Sequence, residues 1–241
     1  METGRVLVTG SEGLIGRIIV PDLEQAGYEV WRLDRVELER PRYIRADISY
    51  PTFPQTVAEQ LPRVDSIVHL AACSHVDASW QEIEGPNILG VRHIYELAIN
   101  RFVPHIVLAS SNHVTGGYES SLVLGDMIYA DNLPWPDSVC GLSKLFAENT
   151  AMRAVPYGVS TNCLRIGSVR AEDDPTISPR LMKTWLSHRD CRQLFQKALA
   201  RCDRFQIYYG VSNNDGRFWS IENARHELAY KPLDNAAEHM R

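Results

Sequence analysis

The segment TGSEGLIG, residues 9–16, restricts the fold of this chain more than any other stretch of its sequence. Its glycines recur at GxxGxxG spacing, directly after the apolar run RVLVTG and at the start of a helical pattern. Such glycines permit a tight turn, close approach of a pyrophosphate and close helix–strand packing, while the helix N-terminus favours phosphate charge. The segment predicts a dinucleotide-binding loop, with plain turn glycines as the alternative. The predicted contact residues are Gly10, Gly13, Leu14, Ile15 and Gly16.

Apolar runs of strand length alternate with segments of helical length as far as Gly167. We expect helices from the glycine segment to about Gly27, near 53–62 and over 88–99. This alternation predicts an α/β fold with a doubly wound parallel sheet, the Rossmann fold. The predicted strands are RVLVTG (5–10), YEVWRLD (28–34), YIRAD (43–47), DSIVHLAA (65–72), HIVLASS (105–111) and VSTNCLRIG (159–167).

The pattern changes after Gly167. Two helices are predicted in PRLMKTWLSH and CRQLFQKALA, and a short strand in RFQIYYG. These elements are expected to form a small C-terminal α/β lobe over the open edge of the sheet. The sequence therefore predicts a single dinucleotide-binding domain over residues 1–241, with its substrate-binding elements mainly in 168–241.

Composition excludes several classes of protein. Hydrophobic residues make up 44% and charged residues 23% of the 241, an ordinary globular balance. The net charge of −5 lacks the basic surplus that a nucleic-acid partner requires. Every apolar run falls short of the roughly 18 residues of a membrane span, so no membrane partner is expected. The N-terminus runs directly into a strand pattern, and we expect no signal peptide.

The cysteines indicate a reducing compartment. They are five in number and scattered, and no pair has the spacing of a metal site or a redox motif. We therefore expect a cytoplasmic protein without a bound metal. The cysteines are Cys73, Cys140, Cys163, Cys191 and Cys202.

A homo-oligomer is compatible with the sequence, which does not fix the number of subunits.

Asp34 indicates which dinucleotide binds. It ends the second predicted strand, 18 residues after Gly16. A carboxylate there can accept hydrogen bonds from both ribose hydroxyls of NAD and repels a 2′-phosphate, which favours NAD. Arg35 favours the opposite preference, because a neighbouring arginine can accommodate NADP. Further residues at strand ends could border the cofactor, although turn formation or core packing explains them nearly as well; they are Asp47, Ile48, Leu70, Ala71 and Ala72.

Several motifs together resemble the extended short-chain dehydrogenase/reductase family, also known as the NAD-dependent epimerase/dehydratase family. SSNHVTG (110–116), the GLSK motif ending at residue 144, the glycine segment and HLAA (69–72) carry this resemblance. More narrowly, the chain is similar to bacterial uronate dehydrogenases. The stretches that carry this likeness are SSNHVTG, GLSKLFAEN, LRIGSV, PRLMKTWLSH and KPLDNAAEH, in the same order and with similar spacing.

The resemblance implies a reaction and roles for its residues. The reaction is oxidation of the C1 hydroxyl of a cyclic hexuronate to an aldarolactone, with hydride transfer to NAD. Ser111 would bond to the reacting hydroxyl, and Lys144 would hold the nicotinamide ribose and lower the pKa of the general base. The implied contacts to the sugar acid come from Ser74, Asn112, His113, Ser168 and Arg180, the last two at its carboxylate.

Cys140 departs from the family pattern, which has a tyrosine as general base at this position. Cys140 and Lys144 share a helix face, and a nearby lysine is expected to lower the pKa of the thiol. On proton affinity Cys140 could act as a base, but a thiol stops one aromatic ring short of the phenol oxygen. A water relayed through Ser111 could fill the gap, or Tyr118 or His113 could accept the proton.

Three explanations of Cys140 therefore remain open at the level of sequence. The protein is an active but altered dehydrogenase, a divergent member with other NAD-linked sugar chemistry such as epimerisation or dehydration, or a catalytically impaired NAD-binding protein. A role for Cys140 as a covalent nucleophile has little support, because no Cys–His–Asp set is recognisable.

Overall fold

Seven parallel strands form one sheet in a computed structural model of the chain, which describes residues 4–123, 125–201 and 203–240. The strand order is β3-β2-β1-β4-β5-β6-β7, and each of the six pairings is parallel. This order is that of a doubly wound sheet, so the predicted Rossmann architecture is confirmed. The strands are β1 (Arg5–Thr9), β2 (Glu29–Asp34), β3 (Tyr43–Arg45), β4 (Ser66–His69), β5 (His105–Ser111), β6 (Ser160–Ile166) and β7 (Phe205–Gly210).

Helices cover both faces of the sheet. A π-helical turn, Glu84–Leu89, links α3 to α4 without a break, and a 3₁₀ segment, Asn112–Val114, follows β5 directly. A second 3₁₀ segment spans Gly116–Ser121. The α-helices are α1 (Leu14–Gln25), α2 (Phe53–Gln60), α3 (Trp80–Ile83), α4 (Gly90–Asn100), α5 (Val139–Ala154), α6 (Pro179–Thr184), α7 (His188–Leu199) and α8 (Glu222–Glu227).

Alternate residues of the strands divide the core into two apolar layers. In β1, Val6 and Val8 face the layer built by α1 and α7, whereas Leu7 faces the layer built by α2, α4 and α5. Both faces of the inner strands are therefore buried, which explains why these strands are continuous apolar runs in the sequence. Within the described ranges, no helix has the length and apolar character needed to cross a membrane.

The segment after Gly167 takes part in the main sheet. Strand β7 pairs with β6 over six residues and forms the edge, while α7 packs beside α1. The helix predicted in PRLMKTWLSH is too long, because α6 ends at Thr184. The next residue, Trp185, is extended and forms a bridge with Ser168, which stops the helix.

The cysteines are unpaired in the described part of the chain. Cys73, Cys140, Cys163 and Cys191 are free thiols. The fifth, Cys202, lies outside the described residues. The reducing compartment expected from the sequence stays a prediction.

A buried ion pair joins α5 to the sheet. The Arg165 guanidinium on β6 donates from Nε and Nη2 to the two oxygens of Glu148, each at 2.9 Å, and both side chains are at most 3% exposed. Burial alone would lower the pKa of Arg165, but the bonds and charge of Glu148 raise it above its ordinary value. Ser110 of β5 also donates to Glu148, at 2.6 Å. The carboxylate thus ties α5 to two adjacent strands.

Replacing Glu148 with glutamine should destabilise the fold strongly. The variant leaves the Arg165 charge buried without its counterion, which costs about 3–5 kcal/mol. Urea unfolding of parent and variant measures this difference in free energy of unfolding. Glu96→Gln is the matched control, because its pair with Arg92 on α4 is exposed and should contribute at most about 1 kcal/mol. Equal losses in the two variants would contradict the structural role of the buried pair.

Candidate active site

The glycine loop lies between the ends of β1 and β4, where the strand order of the sheet reverses. Gly10 has φ of +69°, and a Cβ there would lie 2.7 Å from the backbone nitrogen of Ala71. A Cβ at Gly16 would lie 2.4 Å from the Ser11 carbonyl oxygen. Neither position has room for a side chain, so both glycines are required by the turn itself. In open α/β sheets, ligands bind in this crevice at the carboxyl ends of the strands.

The N-terminus of α1 is open to an anion. Gly13 precedes the first helical turn, and no side chain among the described residues caps it. Leu14 is 40% exposed at the start of the helix, whereas Ile15 packs against the core. Free backbone N–H groups and the helix dipole favour a phosphate at this place. The loop therefore fits the pyrophosphate of a dinucleotide.

Asp34 is held against the same loop. Its Oδ2 accepts a hydrogen bond from the backbone N–H of Glu12 at 2.9 Å, and its Oδ1 accepts one from Val36 N–H at 3.3 Å. The carboxylate is only partly buried, so oxygen lone pairs remain for ribose hydroxyls. Arg35 is exposed beside it. The loop and the carboxylate together have the chemistry that a bound NAD needs.

The other predicted cofactor residues differ in what they present to the crevice. Asp47 accepts bonds from the backbone and hydroxyl of Ser49, as a turn residue does. Ile48 is 4% exposed, and a Cβ at Gly90 would lie 2.5 Å from its Cδ1, so its side chain belongs to the core. The segment 70–72 follows β4, and its backbone forms the wall against which the glycine loop packs.

Three predicted residues meet on the turn after β5. Ser111 Oγ accepts a bond from the backbone N–H of His113 at 3.2 Å and donates to Asn112 Oδ1 at 3.3 Å. Asn112 is 2% exposed, and its Nδ2 has no hydrogen-bond partner among the described residues. An unpaired buried amide donor is unfavourable unless a ligand completes it. This turn is therefore the best candidate for contact with a polar substrate.

Lys144 lies behind this turn on α5. The helix begins after Ser138, whose side chain accepts a bond from Gly141 N–H at 3.0 Å. One turn further along, Lys144 Nζ donates to the carbonyl of Ala109 on β5 at 2.8 Å, and the side chain is buried. Burial lowers the pKa of Lys144, and the nearby groups Cys140, Cys73 and Glu148 offset this in part. The ammonium is thus fixed beside β5.

Cys140 is a packed, neutral thiol. It is 3% exposed and lies in a small apolar cluster with Ala78 and Ile83. Burial raises the pKa of Cys140, and this effect outweighs the lowering by Lys144. The lysine thus lowers the pKa of the thiol as expected, but burial keeps the net shift upward. Sγ donates a long hydrogen bond to the carbonyl oxygen of Cys73, at 4.0 Å.

The remaining predicted substrate residues are not gathered at one point. Ser74 is exposed after β4. Ser168 Oγ is bonded to Thr184 Oγ1 at 2.8 Å. Arg180, on α6, makes a bidentate ion pair with Glu119 through Nε and Nη2, each at 2.8 Å. The pair connects α6 with the segment Gly116–Ser121, which follows the turn of Ser111.

Sequence reasoning missed three residues that organise the site. Asp137 bonds to the His113 ring, and Glu119 bonds to Arg180. Asn87, in the π-helical turn, bonds to both backbone groups of Cys73 at 2.7 and 2.9 Å and to Ser143 Oγ at 2.9 Å. Asp137 had a visible signal, since it directly precedes the helix cap in the PDSVCGLSK segment. The other two had none.

Comparisons with known proteins agree with this geometry. The sequence pattern of the NAD dependent epimerase/dehydratase family matches residues 6–190. A uronate dehydrogenase of Pseudomonas putida is 34% identical, covering 96% of this chain and 85% of that protein. An NAD-dependent glucose-6-phosphate dehydrogenase of Haloferax volcanii is 30% identical, covering 97% and 94%. A mutant uronate dehydrogenase from Agrobacterium tumefaciens, solved in complex with NAD, superposes with a TM-score of 0.86 at 30% identity, covering 98% and 87%.

The doubly wound sheet, the glycine loop and Asp34 form a site for NAD, and the similarity to NAD-dependent dehydrogenases makes the chain an NAD-dependent oxidoreductase. The chain belongs to the NAD-dependent epimerase/dehydratase family and, within it, is similar to uronate dehydrogenases. The family and the cofactor predicted from the sequence are confirmed. The individual roles of the site residues stay predictions.

Asp34→Asn should relax the preference for NAD. Asparagine keeps an oxygen for the Glu12 N–H but removes the negative charge that repels a 2′-phosphate. We expect the ratio of the NADP and NAD dissociation constants to fall by about tenfold, the effect of one nearby charge in a solvated crevice. Calorimetric titration measures both constants. Glu37→Gln, at an exposed carboxylate paired with Arg45, should leave the ratio unchanged. An unchanged ratio in the Asp34 variant would contradict the assignment.

The free energy of unfolding should fall in mild acid because His69 is buried. Burial, and secondarily the charge of Lys144, lowers the pKa of His69 to about 3. An unfolded histidine titrates at about 6.5, so the unfolded chain takes up a proton below that pH while the folded chain does not. His69 therefore contributes stability above about pH 6.5 that is lost progressively as the pH falls towards 3.

Urea unfolding at pH 7 and pH 5 tests this linkage. The parent should lose about 2 kcal/mol more between these pH values than His69→Asn does. His226→Asn, at an exposed histidine, should retain the pH dependence of the parent. If the parent and the His69 variant lose stability equally, His69 is not neutral in the folded protein at pH 5.

Proposed function

We propose that this protein oxidises the C1 hydroxyl of a cyclic hexuronate, such as glucuronate or galacturonate, to an aldarolactone, with NAD as hydride acceptor. The observation that carries the proposal is the pairing of Arg180 with Glu119, on the segment that follows the turn of Ser111. A guanidinium suits a carboxylate better than any neutral sugar group. The similarity to uronate dehydrogenases supports the same substrate class.

The guanidinium of Arg180 retains donors for a ligand. Glu119 accepts from Nε and Nη2, and Nη1 makes no hydrogen bond to any residue of the described ranges. The Arg180 side chain is 41% exposed. Glu119 therefore fixes the orientation of the fork and leaves the Nη1 edge for the carboxylate of a sugar acid. Ser168 and Ser74 stay candidates for further contacts to this substrate.

Asn112 is a candidate hydrogen-bond donor to a hydroxyl group of the sugar. Its buried Nδ2 lacks an acceptor, and a hydroxyl oxygen of the substrate would supply one. Ser111 lies next to it and would bond to the reacting hydroxyl. NAD, held by the glycine loop and Asp34, would accept the hydride from C1. Lys144, buried against β5, would add positive charge near the nicotinamide ribose.

A second candidate is an NAD-binding protein with little or no turnover. The observation that favours it is Cys140, because a neutral thiol buried in an apolar cluster is neither a strong base nor within reach of a substrate hydroxyl. Other NAD-linked sugar chemistry, such as epimerisation, is the third possibility. An assay of NADH formation distinguishes the three candidate functions. The purified protein is incubated with NAD and, in turn, with glucuronate, galacturonate, glucose, arabinose and glucose 6-phosphate. Net formation of NADH with the two uronates supports the dehydrogenase, and its absence with every sugar supports one of the others.

Arg180→Ala should lose affinity for a uronate while sparing a neutral hexose. Removing one partner of a desolvated charge pair costs on the order of 2–5 kcal/mol, so KM for the uronate should rise by tenfold or more. Steady-state rates with glucuronate and with glucose measure the difference. Arg92→Ala, at an exposed arginine paired with Glu96, is the control and should leave both KM values unchanged. Equal weakening of both sugars, or of neither, would contradict the carboxylate role.

A further inference from the structure

Oxidation of a hydroxyl needs a group that accepts its proton, and neither Cys140 nor Tyr118 suits this role. Cys140 is buried in an apolar cluster, and its sulfur makes only a long hydrogen bond, 4.0 Å, to the carbonyl of Cys73 among the described residues. Tyr118 donates its hydroxyl to the carbonyl of Leu133 at 3.1 Å and packs edge-on against Trp135. A general base must lie within hydrogen-bond reach of the proton or act through one water. The acceptor has to be found elsewhere in the site.

His113 is paired with a carboxylate that fixes its tautomer. Its Nδ1 lies 2.9 and 2.8 Å from the two oxygens of Asp137, and Ser138 Oγ donates to the same carboxylate at 2.9 Å. Because an ionised carboxylate only accepts hydrogen bonds, Nδ1 must carry a proton. In the neutral ring, Nε2 then holds a free lone pair. Nε2 makes no hydrogen bond within the described part of the chain.

The position of His113 matches that of a base. Its backbone N–H donates to Ser111 Oγ at 3.2 Å, so both residues lie on one short turn. A Cβ at Gly141 would lie 2.3 Å from the His113 carbonyl oxygen, so the helical turn that carries Cys140 packs directly on His113. The His113 side chain is 16% exposed, so part of the ring is open to solvent. His113 thus lies between the turn of Ser111 and the helical turn that carries Cys140.

We propose that His113 is the general base of the reaction and that Asp137 is its positioning residue. This rests on the proposed sugar oxidation. The O–H bond of the reacting hydroxyl breaks, and its proton moves to Nε2 of His113. The electron pair left on oxygen forms the carbonyl as C1 gives up its hydride to NAD. Asp137 stabilises the imidazolium through a charge-assisted bond, and the proton then leaves to solvent.

Charged groups from several elements surround the pair. Arg180 of α6 is close enough to Asp137 for their charges to interact, and the neutral thiol of Cys140 lies on α5 nearby. Glu119 balances the charge of Arg180, and Lys144 lies behind Cys140. The charge closest to the imidazole is therefore that of Asp137, which is bonded to it directly.

His113→Gln tests the base directly. The amide cannot accept a proton, so kcat/KM with glucuronate should fall by about 10²–10⁴-fold. NAD affinity, measured by calorimetry, should stay within about twofold of the parent. His226→Gln, at an exposed histidine outside the site, is the control and should keep the rate of the parent. A larger loss in a Cys140→Ser variant than in the His113 variant, or an increase in KM alone in the His113 variant, would overturn the proposal.

Asp137→Asn tests positioning without turnover. Nitrogen-15 NMR of the free protein should show the proton of His113 on Nδ1 in the parent and on Nε2 in the variant, whose amide group can donate to Nδ1. The variant should also lose rate at unchanged NAD affinity. A parent with its proton on Nε2 would overturn the proposal. Failure of the parent to reduce NAD with any sugar contradicts the proposed function and the base together, whereas undiminished turnover by His113→Gln contradicts the base alone.

Discussion

The geometry of the crevice depends on how α5 is fixed to the sheet. Glu148, buried with Arg165 of β6, also accepts a bond from Ser110 of β5, and Lys144 bonds to the carbonyl of Ala109 on the same strand. Two successive turns of the helix are thus attached to the strand that ends at Ser111. These charges lie in a medium of low dielectric, where breaking one contact is costly. The reactive turn and the helix opposite it are consequently held at a constant separation.

Burial shifts the pKa values of the groups that lie between α5 and β5. It lowers the pKa of Lys144 and raises that of Cys140, so the two effects oppose formation of an ammonium–thiolate pair. A thiol in this environment behaves as a small apolar side chain. His113, by contrast, is partly open to solvent and is bonded to a carboxylate. In the proposed mechanism, the proton acceptor is therefore His113, on the turn that follows β5, and not a residue of α5.

The sequence was sufficient wherever the determining contacts are local. The glycine loop and the strands could be predicted because spacing and apolar runs encode them within a few residues. The end of α6 could not, because Trp185 pairs with Ser168 across the chain. The partners of His113 and Arg180 lie 24 and 61 residues away, and although Asp137 stands beside a helix cap, nothing in the sequence indicates which residue it or Glu119 would contact. The sequence left both cofactor contact and core packing open for Ile48. Its packing against Gly90, a contact distant in the sequence, shows that the side chain lies in the core.

In the proposed reaction, hydride is transferred from C1 of a sugar acid to NAD. Glucuronate labelled with deuterium at C1 tests this transfer, with the label followed by mass spectrometry and NMR. We expect one deuterium in the reduced nicotinamide, none in the lactone, and a slower rate than with unlabelled glucuronate when hydride transfer limits turnover. Reduced nicotinamide without the label, or a product that retains the deuterium, would contradict oxidation at this carbon.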